Sequence, residues 1–89
     1  KTINVLSIDA WADGDDGWTW NQWHKVGTAP LATCDLPPAE IIAFMISEGY
    51  LRDGVAGRVE VEDDQYNMVI LDTETREPLF ALEYGAVVD

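Results

Sequence analysis

The stretch Asp35-Leu36-Pro37-Pro38-Ala39-Glu40-Ile41-Ile42-Ala43-Phe44-Met45-Ile46-Ser47-Glu48-Gly49 decides the fold. Proline is tolerated in a helix only within the first turn, where its missing N–H is not needed, so Pro37 and Pro38 mark a start. Gly49 supplies a left-handed stop. Between them Ile41, Ile42, Phe44, Met45 and Ile46 make an apolar surface so broad that the first four almost encircle the helix. That pattern fits about three turns buried against a sheet.

Upstream, residues 2–12 are rich in β-branched and aromatic types and run into Asp13-Gly14-Asp15-Asp16-Gly17, a dense turn signal. Trp18 to Val26 reads as a second strand, which makes a hairpin. Pinning the register on the turn places Leu6, Ile8 and Ala10 on a core face with Trp18 and Trp20, and Trp11 and Trp23 on the other. It also sets His24 beside Leu6 on the inward side. From Gly27 to Leu36 small residues and Pro30 indicate a crossing loop.

Downstream of the Arg52-Asp53-Gly54 turn, residues 57–62 alternate with period two, Val59 and Val61 inward, Glu60 and Glu62 outward. Asp63-Asp64 makes the next turn. Tyr66 to Leu71 is nearly continuous apolar sequence, as in a central strand, and Asp72 to Pro78 turns the chain into a last strand, Leu79 to Tyr84. The last three strands form a meander. The element order β-β-α-β-β-β gives an α+β two-layer sandwich, a mainly antiparallel sheet of about five strands with one helix on one face. How the strands are ordered across the helix crossing stays open.

Composition bounds the function. Eighty-nine residues, 47% of them apolar with four Trp, three Tyr and two Phe, suffice for one globular domain spanning residues 1–89. Nothing approaches the roughly 20 apolar residues of a membrane span, and the N-terminus lacks a signal-peptide plan. Cys34 is the only cysteine, so a reducing, cytoplasmic compartment is expected. Seventeen acidic residues against five basic ones give a net charge of −12. Such a chain is repelled by nucleic acid and by anionic membranes, which excludes both as direct partners. A basic protein surface is the natural partner; solubility, including adaptation to a high-salt cytoplasm, explains the same charge without one.

The acids fall in bursts. Glu60 and Glu62 project from one side of a strand about 7 Å apart, and Asp63, Asp64, Asp72, Glu74 and Glu77 occupy the two turns of the same meander, at opposite ends of the sheet. Together they make a stripe that suits a Lys/Arg-lined groove. Asp13, Asp15 and Asp16 make a second patch, and Trp23 is the candidate exposed aromatic contact.

Catalytic chemistry finds little support. The lone His24 and Cys34 form no recognisable nucleophilic motif, and no metal-ligand spacing or phosphate-cradling loop occurs. The 13–17 loop departs from the EF-hand pattern, with Gly17 at the fifth position and no bidentate Glu at the twelfth. The expectation is a non-enzymatic acidic binding protein without cofactor or metal. Two other classes remain open: a small assembly protein that self-associates through an aromatic face or sheet edge, and a calcium- or ligand-binding module at residues 13–17.

The Gly17-Trp18-Thr19-Trp20-Asn21 segment, with the short acidic single-domain profile, resembles small phage-encoded inhibitors of host defence, including anti-CRISPR proteins and DNA mimics. The resemblance implies a partner among host nucleic-acid-handling proteins and a place in the host cytoplasm. It transfers no individual site residue.

Overall fold

The computed structural model describes residues 1–9 and 22–88. Five strands and one helix follow in the order β1 (Thr2–Asp9), β2 (Gln22–Pro30), α1 (Pro38–Ser47), β3 (Val59–Asp63), β4 (Asn67–Asp72) and β5 (Pro78–Val88). All pairings are antiparallel and the sheet order is β2-β1-β5-β4-β3. The α+β sandwich with one helix is therefore the observed architecture. The meander β3-β4-β5 docks its last strand beside β1, which leaves β2 and β3 as the two edges among the described strands.

The helix begins and ends where its sequence dictates. Pro38 opens it, the Glu40 and Ile41 amides donate to the Pro37 carbonyl at 2.9 and 3.1 Å, and Gly49 adopts φ 85° just past its end. Ile41 and Met45 are almost fully buried. They pack with Ile3 and Val5 of β1, Ala29 of β2, Val59 of β3, Ile70 of β4 and Leu82 of β5 into one core between helix and sheet. The Cys34 and Leu51 side chains close its margins.

Several local expectations shift. The crossing loop is shorter than the small residues imply, because β2 runs to Pro30 and Leu31–Asp35 form a 3-10 turn. A second 3-10 turn, Asp53–Arg58, delays β3 to Val59. Tyr66 belongs to the β3–β4 turn, where the Asp64 carboxylate holds its amide, and is exposed.

The hairpin register corrects the face assignment. Ile3 and Val5, not Leu6 and Ile8, line the helix-covered face. Ile8 pairs directly with Trp23, so these two share a face, and His24 pairs with Ser7 rather than lying beside Leu6. His24 is exposed, not inward. The register is one residue off the turn-pinned reading all along Asp9–Gln22 to Leu6–Lys25, and such a slip reverses faces; past it a bulge, with Val5 opposite Gly27 and Val26 the extra residue, changes parity again. Gly27 sits under the Tyr50 hydroxyl, a close approach that any side chain at 27 would obstruct. Leu6, Leu71 and Ala81 are buried outside the helix-side cluster, on the opposite face of the sheet.

Candidate acidic interface

The meander concentrates carboxylates along one edge. Period-two alternation turns Val59 into the core and Val61 against it, while Glu60 and Glu62 project from the opposite face with relative exposures of 45% and 57%. Cross-strand register sets Asp72 opposite Val59 at one end of β3 and Asp63 opposite Met68 at the other. Glu60 and Glu62 thus lie on the outer face, Asp63 and Asp72 on the helix side with the residues they oppose, and Asp64, Glu74 and Glu77 in the two turns, so the acidic stripe of the meander occupies both faces of the sheet. Five strand residues set its core length at about 17 Å.

Two guanidiniums stitch this stripe. Arg76 pairs with Glu60 and, at 3.0 Å, with Glu62. Arg58 reaches Asp72 at 3.1 Å and Glu74 at 3.2 Å. Arg76 takes φ 62°, a left-handed conformation for a residue other than glycine, within the turn that aims its side chain back along the sheet. All four contacts involve exposed guanidiniums, so they offset local repulsion more than they stabilise the fold.

Other carboxylates of the stripe hold its turns. Asp64 Oδ1 accepts the Tyr66 and Asn67 amides, both at 2.7 Å, and these N–H donors, the Tyr66 amide foremost, lower its pKa. Asp72 Oδ1 accepts the Glu74 and Thr75 amides at 2.8 and 3.2 Å; those two donors, then the Arg58 charge, lower its pKa. Asp63 accepts a hydrogen bond from Tyr84, whose hydroxyl also lies 2.5 Å from the Asp64 carbonyl. Bonding to a carboxylate raises the phenol to about 12. At this end the buried Cys34 thiol is raised by desolvation first, then by the charges of Asp35 and Asp63.

The structure thus brings together Glu60 with Glu62 at Arg76, Asp72 with Glu74 at Arg58, and Asp63 with Asp64 at Tyr84, and Glu77 belongs to the β4–β5 turn, where its amide donates to Thr75 Oγ1 at 3.2 Å. Trp23 is 36% exposed but lies on β2, the opposite edge. Four strand spacings separate the two edges, about 19 Å, so Trp23 and the stripe are separate surfaces. Asp13, Asp15 and Asp16, with the calcium alternative built on them, fall outside the described residues. Among the described residues no group of three or more His, Cys, Asp or Glu side chains converges as metal ligands, and no helix is long and apolar enough to cross a membrane.

Sequence reasoning missed Arg58, Arg76 and Tyr84 as members of this surface. Two arginines embedded in an acidic stretch were the available signal. Tyr84 offered none, because its contact spans 21 residues of chain. Searched against family models, curated proteins and solved structures, the chain finds no significant match.

Proposed function

We propose that this chain is a non-enzymatic binding protein whose β3 edge engages a basic surface on another protein. The observation that carries the reading is that the β3–β4–β5 meander and its two turns carry seven carboxylates against two guanidiniums, with Glu60 and Glu62 exposed on the edge strand itself. Such an edge keeps a negative potential even after Arg58 and Arg76 are counted, and it steers a cationic partner toward it. In its sharper form the partner is a nucleic-acid-binding protein whose Lys/Arg groove the stripe occupies, so that the chain inhibits by mimicry. The resemblance to phage inhibitors of host defence favours that form and implies an encounter in the host cytoplasm.

The structure guides the test. Asp63, Asp64 and Asp72 hold turns or accept internal bonds and are left intact; Glu60, Glu62, Glu74 and Glu77 are replaced by Gln. Capture from a bacterial lysate with the native chain and this variant should show a nucleic-acid-binding protein retained by the former and lost by the latter. Identical sets on both would refute the assignment.

A second reading has its own observation. Trp23 and Val26, 36% and 45% exposed, both lie on the β2 edge, and a self-associating chain would use them. It entails a concentration-dependent dimer insensitive to salt, visible by sedimentation.

A further inference from the structure

The main chain of β3 shows how a basic partner would dock. The Thr73 amide donates to the Arg58 carbonyl at 2.7 Å, and the Asp64 amide to the Asn67 carbonyl at 2.9 Å. These two bonds fix the phase of the β3–β4 ladder. Alternation in an antiparallel pair then directs the N–H and C=O groups of Arg58, Glu60, Glu62 and Asp64 toward β4. Those of Val59, Val61 and Asp63 point the other way, along an edge that no other described strand pairs. A row of unpaired donors and acceptors is a template for an added strand.

The side chains of that edge select what is added. Glu60 and Glu62 flank the open row on the outer face, whereas Val59 and Val61 continue the helix-side core up to the margin. A second copy of β3 would set Glu60 and Glu62 against their own kind, which is destabilising. The other edge differs in both respects: β2 carries Lys25, has no carboxylate in residues 22–30, and is interrupted by the bulge at Val26.

We infer that the open edge of β3 accepts an extended segment of the partner as an antiparallel sixth strand, with Lys or Arg alternating with apolar residues. The cations meet Glu60 and Glu62, and the apolar residues pack beside the half-buried Val61 on the helix side. Main-chain bonds supply affinity and the alternating side chains supply specificity. The inference rests on the reading of the chain as a binder of basic proteins and adds the geometry of docking.

Synthetic peptides test it. The probe is a short peptide alternating Lys with Val or Thr, made in three forms: unmodified, N-methylated on the Val/Thr residues, and N-methylated on the Lys residues. In the antiparallel arrangement the Val/Thr amides face β3 and the Lys amides face solvent. Methylating the Val/Thr set should weaken binding roughly tenfold or more, methylating the Lys set should leave it nearly unchanged, and the unmodified peptide should slow hydrogen exchange at the Val59, Val61 and Asp63 amides. Equal binding by all three forms, without slowed exchange, would overturn strand addition while leaving a basic partner in place. No binding by any form would overturn both readings. Concentration-dependent protection of the same amides in the chain alone would assign the edge to a second copy and likewise overturn the inference.

Discussion

The Tyr84 hydroxyl reaches from β5, beneath β4, to the carboxylate of Asp63 at the end of β3. The same hydroxyl lies 2.5 Å from the Asp64 carbonyl, so a single phenol ties the β3–β4 turn to the third strand of the meander. The acidic end of the stripe is thereby held by a neutral donor rather than by a cation. Its charge stays available to a partner.

That contact has an alkaline signature. Tyr84 is pushed up to about 12 in the folded chain against 10 for an ordinary tyrosine, chiefly because its hydroxyl donates to the Asp63 carboxylate. A raised folded pKa contributes stability that is complete below the unfolded value and lost as pH rises through the folded one. Denaturant midpoints should therefore fall between pH 10 and about 12, and Tyr84→Phe should abolish that part of the decline. An unchanged alkaline profile in the variant would contradict the assignment.

The acidic limb runs the other way. Asp64 and Asp72 are held below their ordinary carboxylate range by backbone amides. Their stabilising contribution is present above the unfolded pKa and disappears as pH falls through the lower folded value. In a carboxyl-carbon NMR titration both should protonate below the ordinary aspartate range.

Arg76 restrains the very carboxylates assigned to the partner. Arg76→Asn keeps a residue type that tolerates positive φ and removes the charge, so stability should change by less than about 1 kcal/mol. Affinity for a Lys-rich peptide should rise several-fold at low salt and return toward the native value at high salt. Weaker binding by this variant would mean that the stripe is not the contact.

Packing separates the core from this surface. Leu82 is fully buried between helix and sheet, and Leu82→Ala should cost about 2–5 kcal/mol in urea unfolding. A Cβ at Gly85 would lie 2.7 Å from both Cβ and Cδ1 of Tyr66, and the Cβ cannot swing aside by rotamer change. Gly85→Ala should cost roughly 1–3 kcal/mol, whereas Gly54→Ala, with nothing within 4 Å, should be tolerated.

Much of this architecture is legible in the sequence, for identifiable reasons. Pro38 and Gly49 punctuate the helix through steric rules that act within a few residues, and Val59-Glu60-Val61-Glu62 reports its two faces by alternation alone. The hairpin register was not legible, because Leu6 faces Lys25 and Ser7 faces His24, one residue off the pairing that the 13–17 turn implies, and a one-residue slip reverses every face. The strand order needed contacts such as Val5 opposite Leu82, far apart in the chain and unsignalled locally. At the candidate interface the acids announce themselves, while the Arg76 clamp and the Tyr84 bond arise only when three strands are laid side by side.

The most direct test of the central claim is capture at matched ionic strength with the native chain beside the Glu60→Gln, Glu62→Gln, Glu74→Gln, Glu77→Gln variant, each first shown to be folded by its near-ultraviolet circular dichroism. A basic partner retained by the native chain and absent from the variant is the predicted result. Retention of the same partner by both, with equal affinity, would contradict the account.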